Sequence, residues 1–173
     1  HPKANDAIVG THGRSIYIAN VEHIQALGEE ILNSDLHAFD VSKVRYSSRW
    51  GTSNIFRPEP SEPDISIPIF AKSDGKAKIS VKSKDLVLKH WESDISKGIN
   101  YLKYNGEIEE KYVREFEKQL NNSEKKKKED EPIEVKKADN DRYYLKPGKY
   151  TVVIEAGGKS VEKSLEVTER RRR

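Results

Sequence analysis

The sequence predicts a mainly-β chain whose larger part is a β-sandwich interrupted by one charged helix. Three observations predict it. From Asp64 onward, apolar residues recur with period two, the pattern of strands that bury one face and wet the other. Turn signals at Asp74-Gly75, Lys97-Gly98, Pro147-Gly148 and Gly157-Gly158 divide this region into short runs, as in a sandwich. One stretch, residues 109–121, switches to helical spacing.

Taken in order, residues 6–10 read as a strand with Ile8 and Val9 apolar. Thr11-His12-Gly13-Arg14 reads as a tight turn in which Gly13 supplies a positive φ, and residues 15–18 as the returning strand. Two short strands do not hold alone in water, so further sheet is expected beside them. Ile24, Leu27 and Ile31 predict an amphipathic helix or turn-helix connector over residues 21–33. Residues 36–46 read as an extended strap. Pro58, Pro60 and Pro63 make the following stretch a linker or ordered loop, and a domain boundary is placed there.

In the second part Ile65, Ile67 and Ile69 alternate, and Pro68 between them predicts an edge strand. Asp74-Gly75 predicts a hairpin into the run of Ala77, Ile79 and Val81. Residues 86–91 and 99–104 supply a third and a fourth strand. Tyr112, Val113, Phe116 and Leu120 share one helical face, with acidic residues at the helix start. Residues 123–141 are dominated by Lys, Glu and Asp, and the run at 125–128 reads as a solvated excursion. Tyr150, Val152 and Ile154 then face Val161, Leu165 and Val167 across a Gly157-Gly158 hairpin. Residues 170–173 form a basic tail.

Composition removes several function classes. Charged residues make up 35% of the 173, but the net charge is only +3 and the signs are mixed, so no basic stripe points to nucleic acid. Cysteine is absent, which excludes disulfides, thiol nucleophiles and Cys-based zinc sites. No apolar run approaches the roughly 20 residues of a membrane-spanning helix. The chain opens His1-Pro2-Lys3, with neither an initiator methionine nor a signal peptide. It therefore reads as a fragment or processed product of a longer protein.

Complete chemistry is not legible. The histidines, at 1, 12, 23, 37 and 90, lack metal-ligand spacing. Asp139, Asn140 and Asp141 lack the calcium-loop pattern. No carboxylate pair is marked for glycosidic chemistry, no serine sits in a nucleophile elbow, and Gly157-Gly158 belongs to a hairpin rather than a phosphate loop. No catalytic residue, metal or cofactor is assigned. Two groups remain as binding candidates. His12 and Arg14 sit on the first turn, where they either meet a ligand or tie the hairpin to a neighbouring strand. Tyr46, Trp50 and Trp91 are either an aromatic platform for a sugar or packing residues.

The string Gly10-Thr11-His12-Gly13-Arg14-Ser15-Ile16-Tyr17-Ile18 resembles the segment that closes the propeller in large bacterial sortilin-like, BNR-repeat proteins often labelled glycosyl hydrolases. The lead-in from His1-Pro2 to Asn5-Asp6 is similar too. Ser15 stands where Gly is common, and Ala19-Asn20 where two Asp are common. Leu36-His37-Ala38-Phe39 with Val44-Arg45-Tyr46 looks like the strap of that family. Asp74-Gly75, residues 98–104 and Leu145-Lys146-Pro147-Gly148-Lys149-Tyr150-Thr151-Val152 look like landmarks of its terminal Ig-like or fibronectin III-like domain.

The resemblance implies final propeller strands in 1–20, a connector and strap in 21–63, and an Ig-like sandwich in 64–169 with an inserted helix and charged loop at 109–141. The implied role is a non-catalytic brace and a protein- or glycan-interaction module of an exported protein, periplasmic, outer-membrane-associated or extracellular. Its first partner would be the upstream propeller of the same protein. Two alternatives stand beside it: an accessory part of a glycoside hydrolase whose active site lies upstream, and a subunit or processed chain of a cell-surface or export assembly.

Overall fold

The structure is a computed structural model that describes residues 5–13, 15–56, 58–122 and 132–169. In chain order it contains β1 (Asp6–Gly10), β2 (Ile16–Asn20), α1 (Glu22–Gln25), α2 (Glu29–Asn33), β3 (Leu36–Ala38) and β4 (Val44–Arg45). There follow β5 (Ile65–Ala71), β6 (Gly75–Ser83), β7 (Leu86–Ile95), β8 (Gly98–Tyr104), β9 (Glu107–Ile108) and α3 (Glu110–Asn121). The last elements are β10 (Tyr143–Tyr144), β11 (Gly148–Ala156) and β12 (Lys159–Thr168). Strand accounts for 47% and helix for 14%, so the chain is mainly β, with a curled half-barrel sheet.

Two sheets form the body. The larger has the order β4-β12-β11-β6-β7 and the smaller β3-β5-β8. Every pairing in them is antiparallel except that of β4 with β12, where Val44 lies opposite Val167. One continuous core runs between them. The smaller sheet gives it Ile65, Ile67, Ile69 and Leu102; the larger gives it Ile79, Val81, Val152, Ile154 and Leu165. Each such side chain contributes about 1.5–3 kcal/mol when fully buried. No polar or charged residue is buried among the described residues, so apolar burial carries this core.

Residues 36–46 add a strand to each sheet: β3 pairs with β5, and β4 with β12. The loop after them is ordered at both ends. Gly51 N–H donates to Ser61 C=O at 2.7 Å, and Ser61 N–H to Thr52 C=O at 2.9 Å.

Helix α3 forms where its apolar spacing predicts. Val113 and Phe116 are buried, and Gln119 Nε2 donates to Ser83 C=O at 3.0 Å. The Asn121 side chain holds both backbone groups of Ile133, at 2.8 and 3.0 Å, which ties the returning chain to the helix end. The charged run at 125–128 and the basic tail at 170–173 lie outside the described residues.

Three local readings are corrected, and one left open between two forms is settled. The stretch 21–33, read as an amphipathic helix or a turn-helix connector, is two short helices, because the chain turns at Ala26 and Leu27 and restarts from Gly28. Asp74-Gly75 is not a hairpin turn: β5 and β6 lie in different sheets, and Asp74 Oδ1 instead accepts from Lys97 N–H at 2.6 Å. The tight hairpin of this region is β6–β7, turned at Lys84, whose φ is 53°. Pro68 does not mark an edge, since β5 is the middle strand of its sheet. Pro68 C=O accepts from Phe39 N–H at 3.0 Å just past the last residue of β3, so the missing N–H falls where the neighbouring strand has ended. Gly13 does not take a positive φ, because a longer connection closed by Thr11 N–H on Ser15 C=O at 2.9 Å makes it unnecessary.

Candidate functional site

Strands β1 and β2 pair over five residues and with no other strand among the described residues. Directly opposed residues in an antiparallel pair share a face. Ile8 lies opposite Ile18 and Gly10 opposite Ile16, so one face carries three isoleucines. Val9 lies opposite Tyr17 and Ala7 opposite Ala19, so the other face is apolar too. The five large side chains among these are 56–71% exposed. The contrast with β6 of the body is direct, since that strand buries Ala77, Ile79 and Val81 and turns Lys76, Lys78 and Ser80 outward.

His12 lies on the connection of this hairpin and is exposed. Arg14, its proposed companion, lies outside the described residues. The hairpin continues into α1, where Val21 N–H donates to Asn5 C=O at 2.7 Å and Glu22 N–H to Asn20 Oδ1 at 3.1 Å. From α1, His23 reaches the body. Its ring lies 4.8 Å from Phe39, and its Nδ1 is 3.2 Å from the Tyr101 hydroxyl.

The three aromatic candidates are divided between two places. Tyr46 and Trp50 meet edge to face at 5.2 Å, and Trp50 also approaches Tyr144 at 6.2 Å. Trp50 is only 7% exposed, so it fixes the loop to the body and offers little surface. The pair borders a groove of about 370 Å3. Trp91 is elsewhere, half-buried and stacked on Tyr104 at 5.2 Å with ring planes 16° apart. It lines a separate groove of about 400 Å3.

Between these regions lies Glu62, which no sequence motif singles out. Its Oε1 accepts from Arg142 at 2.8 Å, from the Tyr144 hydroxyl at 2.8 Å and from Asn140 Nδ2 at 3.0 Å. Its Oε2 accepts from Asn105 Nδ2 at 3.2 Å. Nothing around Glu62 in the sequence announces this, because all four donors are more than 40 positions away. The apolar character of both hairpin faces, by contrast, can be read directly from Ile8-Val9 and Ile16-Tyr17-Ile18 once the register is known.

Among the described residues no group of His, Asp and Glu is placed to hold a metal ion, and no helix is long and apolar enough to cross a membrane. No family model, curated protein or solved structure matches the chain.

Proposed function

We propose that this chain is a non-catalytic closing module of a larger exported β-propeller protein. In this reading β1 and β2 complete the last blade, and the two-sheet body is an Ig-like or fibronectin III-like sandwich that braces it. The observation that carries the reading is the hairpin, apolar and exposed on both faces, with two open strand edges. A sheet wetted on one side needs only one apolar face. A propeller blade is packed between neighbours on both sides, and its hairpins need two. The connection at Thr11-His12-Gly13 would then sit at the blade end, where His12 can satisfy strand-end groups.

Two details support the sandwich reading. The strands divide as β3-β5-β8 against β4-β12-β11-β6-β7, with the first extended segment split between the sheets. The Tyr150 hydroxyl at the start of β11 donates to Lys146 C=O four residues upstream, the arrangement of a tyrosine corner.

The test is a double substitution, Ile8→Lys with Ile18→Lys. Both side chains are exposed here, so the thermal midpoint of this chain is expected to stay within about 1 °C, as for surface changes of under ~0.5 kcal/mol. The same pair in the longer propeller-containing protein is expected to make it aggregate or lose its upper transition. A parent whose propeller melts normally with both lysines in place would refute the blade reading.

A further inference from the structure

We propose that the groove beside Trp91 binds neutral saccharides. The proposal begins with the unequal widths of the two sheets. On β6, Ala77, Ile79 and Val81 point into the core and are fully buried. Their partners on β7 are Ser93, Trp91 and Lys89, which lie on the same face of the sheet. Those three are only half-buried. The inner face of the five-stranded sheet is therefore covered at β6 and left partly open along β7 between the buried Leu88 and Ile95, beyond β8 at the edge of the three-stranded sheet. A packing surface would carry Val or Ile there. This one carries an indole between a lysine and a serine.

Trp91 forms the floor, and Tyr104 holds it. The Tyr104 ring is 4% exposed, lies parallel to the indole, and donates its hydroxyl proton to Glu107 C=O at 2.8 Å. The rim is polar and pre-oriented. Lys103 Nζ holds both oxygens of Asp64 at 2.8 and 3.1 Å, Asn105 holds Glu62 at 3.2 Å, and Lys89 pairs with Glu107 at 3.3 Å. The volume, about 400 Å3, falls within the range of small-molecule sites.

The charges that line the groove select the ligand class. Lys89 and Lys103 oppose Glu62 and Asp64, two positive against two negative. An anionic ligand would meet two carboxylates, and a cationic one two ammonium groups. A purely apolar ligand would strip water from these charged rim groups and return no hydrogen bond, which costs free energy. A pyranose has an apolar C–H face for the indole and a ring of hydroxyls, each able to donate and accept, for the mixed rim. This site is on the body, and its argument uses nothing from the hairpin.

The whole chain is titrated with cellohexaose, mannohexaose and xylohexaose, and with hexagalacturonate as the anionic control. The two indole N–H resonances and the tryptophan fluorescence report on Trp50 and Trp91. At least one neutral oligosaccharide is expected to move the Trp91 indole resonance and leave that of Trp50 in place. Trp91→Ala is expected to weaken binding by about tenfold, the scale of one lost aromatic stack. Asp64→Asn unbalances the rim at an exposed side chain and is expected to weaken binding several-fold without lowering the melting temperature. That variant decides the matter if Trp91→Ala does not fold. Silence with all three neutral probes at millimolar concentration overturns the proposal. So does tighter binding of hexagalacturonate, or binding unchanged in both variants. The Ile8→Lys, Ile18→Lys chain is expected to bind as the parent sequence does, so failure here is distinct from failure of the propeller reading.

Discussion

The Tyr144 hydroxyl belongs to a cluster centred on Glu62 that joins three parts of the chain, at residues 62, 105 and 140–144. It accepts from Asn140 Nδ2 at 2.7 Å and donates to Glu62, which also receives Arg142 and Asn105. Partial burial pushes its phenol up to about 12, with the Glu62 carboxylate acting in the same direction and the Asn140 hydrogen bond opposing. The folded value lies above the ordinary 10.0, so the stabilisation is complete below pH 10 and is lost as pH rises through about 12. Tyr144→Phe is expected to cost about 1–3 kcal/mol at neutral pH, because it removes a hydrogen bond to a charged group and leaves Glu62 short of a donor. Urea titration at neutral pH and across the alkaline window checks both parts: the variant should start lower and fall less steeply as the pH rises. Gly51 sits against the same cluster with φ +79°, and a Cβ there would fall 2.7 Å from the Tyr144 ring. That close approach is why a glycine opens the Pro-rich loop. The sequence shows the glycine and the tyrosine but gives no sign that they meet, because their contact is set by how the loop folds back on the body.

Helix α3 shows what local pattern can and cannot convey at the scale of an element. Its apolar face was legible from Val113 and Phe116, and its bounds follow that spacing. Its start is built differently from a standard cap. The Glu109 carboxylate makes no cap hydrogen bond; it accepts from His90 N–H at 3.2 Å and pairs with Lys111 at 2.9 Å. The acid thus joins the helix start to strand β7, and Glu109 N–H completes the junction on Leu88 C=O at 2.9 Å. Phe116 is fully buried and lies 6.2 Å from the Tyr150 ring. Phe116→Ala is expected to destabilise the body by about 3–5 kcal/mol, measured by denaturant unfolding. A loss under 1 kcal/mol, about that of a surface change, would mean the helix is not part of the core. Turn grammar was legible to the same partial degree. Gly157 and Gly158 take positive φ in the hairpin expected of them. Asp74-Gly75 has equally good hairpin chemistry, yet the chain there crosses between sheets. Two residues of sequence cannot distinguish those outcomes, because strand pairing is decided by the core each strand faces.

For the molecule as a whole, the two-sheet body and the hairpin have opposite surface logic. The body closes a core in which every large apolar strand residue of the two inner faces finds a partner, apart from the open margin at β7. The hairpin exposes apolar side chains on both faces and is joined to the body through α1 and the His23 contact with Phe39 and Tyr101. Removing residues 5–20 is accordingly expected to leave the melting temperature and the denaturant midpoint of the body unchanged, as measured by circular dichroism. A drop of several degrees would place the hairpin within the cooperative unit. The sequence conveyed the six long strands of the body and the apolar hairpin. It did not convey that the strap at 36–46 enters both sheets, because three- and two-residue strands leave too short a pattern to read.

If the hairpin is half of a larger sheet, its amides gain protection only when that sheet is present, and hydrogen exchange measures this directly. Amides of residues 6–10 and 16–20 are compared in this chain and in a longer form carrying the proposed propeller, with β11 and β12 as internal references. Rapid exchange is expected in this chain, and protection approaching that of β11 in the longer form. Equal and rapid exchange in both, or slow exchange in this chain by itself, would contradict the blade reading.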